Sequence, residues 1–358
     1  MVRLIETQMQ GEGHLMINLA MIKHFASGQD FVYVGERSQI SALNRRIAIK
    51  NRNYIKVQHF AKKWQLPFYV IYHFFIILKQ LIASRSEDKI VFTSLFPVTH
   101  FLVKRFFFLS SAEKYIVLHG ELKQIEVYSN ALLKVLGKFL KQALLHKVQH
   151  LKYVVLGENI KETVVSKNWL QPEEMVCVEH PYDFKDVLEK VKDPQHIRLA
   201  VLGSASFNKG THHFIELARE NRNPKLRFEI IGALADPKLE PLLHDQIKYF
   251  KERFVSSSDY NLALSRTDAA AFFLDEKEYA YTASAAFLDA VKYKIPVLAV
   301  TNSYFRNYFK KYGDVGLLFD DYISLKEFLL NRDLESLIAE KNEIWQSNFE
   351  KIIAQNSI

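Results

Sequence analysis

Thirteen short apolar runs, most of them without polar residues at alternate positions, recur along this chain. The first seven are VRLIE (2–6), FVYVG (31–35), YIKV (54–57), KIVFTS (89–94), YIVLH (115–119), YVVLG (153–157) and MVCVEH (175–180). Six more follow: IRLAVLG (197–203), LRFEIIG (226–232), RFVSS (253–257), AAAFFL (269–274), PVLAV (296–300) and GLLF (316–319). A strand that is apolar on both faces must be covered on both faces, as in a parallel sheet sandwiched by helices. Helical patterns fill most of the gaps, so the chain reads as α/β, and the strand–helix rhythm runs through it twice. At about 100–200 residues per domain, its 358 residues suit two domains, and an apolar content of 49% is ample for two cores. The boundary falls in HPYDFKDVLEKVKDPQ (180–195), where Pro181 and Pro194 bracket a charged stretch. This gives a first domain over 1–180, a second over 181–335 and a closing amphipathic helix over 336–358.

The net charge of +8 favours anionic partners: nucleotide phosphates, acidic lipid surfaces or nucleic acid. No Gly-rich or aromatic RNA-binding signature is present, and the single cysteine rules out Cys-rich zinc-finger spacing, so nucleic acid is set aside. That residue, Cys177 in MVCV, reads as a buried thiol and fits a reducing compartment. The N-terminal stretch shows no secretory pattern, and a cytoplasmic location is expected. Two segments qualify this. LPFYVIYHFFIILKQLIA (66–83) is apolar all round, but its uncharged run ends at Lys79, short of the roughly 20 residues that span a bilayer. It reads as a buried helix, with a membrane surface as the alternative; FPVTHFLVKRFFFL (96–109) has the same character. Further on, Lys134, Lys138 and Lys141 share a helical face beside Leu132, Leu136, Phe139 and Leu140. Together these make peripheral attachment to an anionic inner membrane face an expectation.

Three segments carry candidate binding chemistry. Gly11-Glu12-Gly13-His14 follows the first strand and opens a helix, where glycines admit a ligand to the backbone and the helix start favours anions. It is not a dinucleotide fingerprint: Met16 stands where the third glycine belongs, and the second strand ends in Gly35 rather than in an acid. In VLGSASFNKGTHHFIELA (201–218), Gly203 and Ser204 allow close backbone approach, Lys209 supplies a positive charge, and Gly210 leads into a helix with free N–H groups. That combination suits a diphosphate, although the P-loop pattern is absent. In EYAYTASAAFLDAVKYKIPVLAV (278–300), Thr282 and Ser284 can present hydroxyls at a helix start, and Asp289, about two turns on, can accept sugar or ribose hydroxyls.

These residues resemble those of nucleotide-sugar-dependent glycosyltransferases of the GT-B fold, as found in bacterial polysaccharide synthesis. Lys209-Gly210 matches the Lys-Gly turn of their C-terminal domain, and Asp289 with Lys294-Ile295-Pro296-Val297 matches the acidic helix before its x-Pro-Val strand. The run from Tyr279 to Ala290 and the His180-Pro181 pair are similar too. The resemblance departs where Tyr281 takes the place of a first glutamate, where Ala285 replaces a glycine, and where the basic residue often found before the Lys-Gly turn is missing. It implies two Rossmann-like domains facing across a cleft, with the C-terminal helix crossing back to the first. It also implies a UDP-sugar donor held by Gly203, Ser204, Lys209, Gly210, Tyr279, Tyr281, Thr282, Ser284 and Asp289, with the base near Phe254 and Val255. A glycan or lipid-linked acceptor would lie on the side of Gly11, Gly13, His14 and His180. No metal and no cofactor beyond the nucleotide sugar is implied. In LHGELKQIE (118–126), Glu121 could then deprotonate the acceptor, or His119 could bind the donor sugar. The contrasting reading is a GT-B-shaped binding or chaperone subunit without catalysis.

Overall fold

Both strand series fold into all-parallel sheets. The computed structural model of the chain describes residues 1–57, 63–128, 130–252 and 255–357. The chain divides into two units, Met1–Pro181 and Tyr182–Ser357. The first holds β1 (Val2–Glu6), β2 (Phe31–Gly35), β3 (Asn51–Tyr54), β4 (Lys89–Ser94), β5 (Glu113–Leu118), β6 (Leu151–Leu156) and β7 (Met175–Val178). Its sheet order is β3-β2-β1-β4-β5-β6-β7. The second holds β8 (Ile197–Leu202), β9 (Leu226–Ile231), β10 (Ile247–Tyr249), β11 (Ala269–Phe272), β12 (Val297–Val300) and β13 (Gly316–Phe319), in the order β10-β9-β8-β11-β12-β13. Each sheet winds outward from its first strand in one direction and then reverses, which is the Rossmann-like doubly wound arrangement. The reversal leaves a crevice beyond the carboxyl ends of β1 and β4 in the first unit, and of β8 and β11 in the second.

Two strands lie away from their predicted positions, and both are sheet edges. YIKV (54–57) was expected as the third strand, but β3 is Asn51–Tyr54, exposed at every position. An edge strand needs hydrogen bonds on one side only, so no apolar pattern marks it. RFVSS (253–257) was expected as a strand, whereas β10 is Ile247–Tyr249. Ser256 instead caps the helix Ser257–Ser265 by accepting the Asp259 N–H at 3.1 Å. Arg253 and Phe254 lie outside the described residues, and with them the proposed base contact at Phe254; Val255 is half-buried.

The closing helix, Leu334–Asn356, is not a separate element. Its Trp345, Phe349 and Ile352 are buried in the second unit's core together with Ala290, Val291 and Tyr312. The helix Leu66–Ile82 differs from its reading as buried on all sides. Tyr69, Val70, His73, Ile77 and Leu81 are buried, while Phe68, Ile71, Tyr72, Phe75 and Ile82 are exposed. No helix among the described residues is long and apolar enough to cross a membrane.

Candidate functional site

At the reversal point of the second sheet, β8 runs out into Gly203 and a tight polar loop. Gly203 sits at φ 77 and Gly210 at φ 68, in the left-handed region that favours glycine. Packing reinforces the choice. A Cβ at Gly210 would stand 2.3 Å from Phe273 Cβ, and one at Gly203 would stand 3.1 Å from Lys209 Nζ and 3.4 Å from Ala286 Cβ. The loop thus folds the Lys209 ammonium back over the Gly203 backbone, beside the first turn of the helix Ala285–Lys292. Leu202, Gly203, Ser204, Lys209, Thr211 and Leu274 line a small pocket there. Burial lowers the Lys209 pKa, and the nearby Asp289 charge opposes the shift.

Asp289 is held from both sides. Its carboxylate accepts the Tyr260 hydroxyl at 2.8 Å and the Tyr182 hydroxyl. Burial raises its pKa, against the two phenols and the charges of Lys292 and Lys209. Ser284 caps the helix by accepting the Phe287 N–H at 3.2 Å, so its hydroxyl is engaged locally. The Thr282 hydroxyl is buried with no hydrogen-bond partner among the described residues. Such a group is costly unless something satisfies it, which suits a ligand contact. Tyr279 and Tyr281, both expected at the donor, are instead buried core side chains. Tyr279 packs against the ring of Tyr304 at 6.4 Å. Alternation along a short connecting segment could not tell which of these faces the loop.

The first unit gathers a second cluster at its own reversal point. Glu6, the last residue of β1, is fully buried. Its carboxylate accepts the N–H groups of Gln8 at 2.8 Å and Met9 at 3.3 Å, the Thr93 hydroxyl at 3.1 Å, and the Ser94 hydroxyl. His14 Nδ1 lies 3.5 Å from it. Burial alone would raise the Glu6 pKa, but His14, Ser94 and the Gln8 N–H hold it below the usual carboxylate range. A buried carboxylate costs several kcal/mol unless it is hydrogen-bonded in this way.

His14 ends the Gly11–His14 turn at φ 55, an unfavourable conformation for a residue with a Cβ. Gly11 shares it at φ 56 and donates its N–H to Ser38 Oγ at 2.9 Å. The Gly13 carbonyl accepts from Gln39 Nε2 at 3.0 Å. The His14 ring meets that of His119 edge-on at 4.6 Å, and His119 lies 6.1 Å from His180. Four carboxyl-end positions thus converge: Glu6, His14, His119 and His180. Burial and the neighbouring imidazoles push His119 down to about 3, and burial lowers His180 to about 4, so both are neutral near pH 7. Glu121 turns back on its own loop, accepting the His119 backbone N–H at 2.8 Å. Burial pushes it up to about 8. That upward shift favours the protonated form and works against a role as a base at neutral pH.

Glu6, Tyr182 and Tyr260 were not among the residues expected at either cluster. A signal existed for Glu6, because a charged residue closing an otherwise buried strand needs partners. None existed for the tyrosines, which reach Asp289 from distant stretches of chain. Among the described residues, no group of three or more His, Cys, Asp or Glu side chains is placed to hold a metal ion.

Two Rossmann-like units in succession match the GT-B fold, and solved GT-B structures share it across nearly the whole chain. No protein-family model matches the sequence, and no curated protein matches it. The chain is similar to Anabaena HepE in complex with UDP, with a TM-score of 0.65 at 13% identity, covering 99% of this chain and 95% of that one. It is also similar to a glycosyltransferase from Rickettsia africae, with a TM-score of 0.63 at 12% identity, covering 99% and 94%. The lipopolysaccharide outer core galactosyltransferase WaaB in its apo form gives 0.60 at 12% identity, covering 98% and 94%.

Proposed function

We propose that this chain is a glycosyltransferase. It moves a sugar from a nucleoside diphosphate sugar, with UDP as the favoured carrier, to a glycan or lipid-linked acceptor in cell-surface polysaccharide or glycoconjugate synthesis. The observation that carries the reading is the loop from Gly203 to Gly210, which brings a half-buried ammonium over an open glycine backbone beside a helix start. When the sugar departs, the diphosphate gains negative charge. Lys209 and the backbone N–H groups at that point are suited to stabilising it, and more strongly so for being partly desolvated. Asp289 has about four lone-pair sites, of which the two phenols occupy two. The remainder can accept hydroxyls of the donor. The neutral imidazoles of His119 and His180 suit sugar hydroxyls, which need acceptors as well as donors. That the HepE structure contains UDP supports the choice of carrier.

The test is a thermal shift. UDP at about 100 times its dissociation constant should stabilise the protein by about 2.7 kcal/mol, and Lys209→Ala should remove most of that gain. If no nucleoside diphosphate or nucleotide sugar shifts the melting temperature, the reading fails. One observation favours the non-catalytic alternative, a GT-B-shaped binding or chaperone subunit: the Glu121 carboxyl is tied to its own turn, accepting the His119 backbone N–H. Transfer or donor hydrolysis that is lost in Asp289→Ala and in His119→Ala would exclude that alternative.

A further inference from the structure

The helix Leu66–Ile82 presents an apolar face that is left exposed among the described residues of its unit. At about 100° per residue, Phe68, Ile71, Tyr72, Phe75, Lys79 and Ile82 fall in one stripe, and all six are exposed. Phe68 is 66% and Phe75 is 61% exposed. At about 1.5 Å per residue the stripe runs roughly 20 Å along the surface. It does not end at the helix. Phe74 meets Phe106 edge-on at 5.2 Å, and Phe106 stacks near Phe108 at 6.4 Å, so the 3-10 turn Lys104–Leu109 extends the patch. Phe108 is 77% exposed, and Arg105 lies over the Phe101 ring at 3.6 Å. Phe101 in turn packs on Phe139 of the helix Ala131–Leu145, whose Lys134, Lys138 and Lys141 are exposed.

Charge on this layer has one sign. The segments Leu66–Ile82, Pro97–Leu109 and Ala131–Leu145 expose five cations, Lys79, Arg105, Lys134, Lys138 and Lys141, and contain no Asp or Glu; their sixth cation, Lys104, is buried and donates to the Ala143 carbonyl and the Tyr153 hydroxyl. Exposed aromatic rings with interspersed cations are the composition of a surface that lies in the headgroup region of an anionic bilayer. A protein interface is the less suitable occupant, because lysine is depleted at interface cores, whereas Lys79 stands within this stripe. At a bilayer its stem can lie along the apolar layer with the ammonium among phosphates.

We propose that this face binds anionic lipid bilayers in the plane of the membrane, with Phe68, Phe75 and Phe108 entering the interface and Lys79 and Arg105 contacting lipid phosphates. The surface is independent of the nucleotide loop, so the two can fail separately. Trp64 offers a direct probe: it is 63% exposed next to the stripe, while Trp169 and Trp345 are buried. The experiment is titration of the intact protein with phosphatidylglycerol-containing vesicles and with pure phosphatidylcholine vesicles. It follows tryptophan emission, quenching by brominated lipid, and cosedimentation. The expected result is a blue shift and quenching with anionic vesicles only, both lost in Trp64→Phe. Phe68→Ser/Phe75→Ser should weaken partitioning at least about tenfold, as should Phe108→Ser separately, with melting temperature and UDP response unchanged. Wild-type protein that stays in the supernatant at low salt overturns the proposal. So does binding that survives these substitutions, or a wild-type dimer that the same substitutions dissolve, which would assign the face to a second copy of the chain.

Discussion

Gly210 is the residue on which the nucleotide loop turns. Its φ of 68 and the 2.3 Å that would separate a Cβ from Phe273 Cβ leave no room for a side chain. Gly210→Ala should cost about 2–4 kcal/mol from the backbone conformation and overpacking together, measured by denaturant unfolding. Near-wild-type stability would mean that the loop is looser than described. Lys209→Ala should separate from it, because a half-exposed side chain can be removed with little loss of stability while the UDP response disappears. Glu121 makes a prediction through its proton. Its folded pKa, about 8, lies above the ordinary value of 4.5, so its contribution is complete below 4.5 and is lost as pH rises through 8. Glu121→Gln should therefore melt progressively higher than the wild type between pH 5 and pH 8, and a constant difference across that range would refute the assignment. If Glu121 is the acceptor's base, transfer should also climb toward pH 8 and vanish in the glutamine variant.

The helix Leu66–Ile82 shows how one element serves two surfaces. Ile77 and Leu81 are fully buried against the unit, whereas Phe75 points outward. Ile77→Ala should cost about 2–5 kcal/mol through lost burial and the cavity left behind. Phe75→Ser should stay within about 0.5 kcal/mol. Denaturant midpoints of the two variants decide the matter, and equal losses would place Phe75 in the core. Composition hides this asymmetry, because both faces are apolar and the usual polar marker of the outer face is missing. The same blindness explains β3 and β10. Central strands such as β11 and β12 advertise themselves by unbroken apolar runs, whereas an edge strand like Asn51–Tyr54 is held by backbone hydrogen bonds that no side-chain pattern records.

Acid should act unequally on the two units of the molecule. In the first, burial lowers His73 and His180 to about 4, and His100 and His119 to about 3. A histidine depressed below its unfolded value of 6.5 is protonated first in the unfolded chain, so stability falls as pH drops from 6.5 toward 3. Glu6, lowered too, adds stability that is lost below 4.5. In the second unit burial lowers His212 and His213 only part-way, and the raised Asp268 and Asp289 have the opposite sign and favour the folded state at lower pH. Hydrogen exchange corrected for intrinsic rate should show β1, β4 and β5 losing protection between pH 7 and pH 5 before β8, β11 and β12. Simultaneous loss in both units would contradict these burial effects.

Two Rossmann-like units and their central strands follow from the doubled rhythm of apolar strands, since a strand buried on both faces is marked along most of its length. The glycines at 203 and 210 were legible as well, because the left-handed backbone and close approach found there each demand that residue type. Their surroundings come from the folded chain alone. Tyr182 and Tyr260 reach Asp289 from 107 and 29 residues away, and Glu6 meets the hydroxyls of Thr93 and Ser94 across 87 and 88. Tyr279 and Tyr281 went into the core instead of the pocket. Local sequence encodes backbone conformation and burial period. The partners of a buried polar group are set by sheet order and loop path, which bring together residues with no relation along the chain.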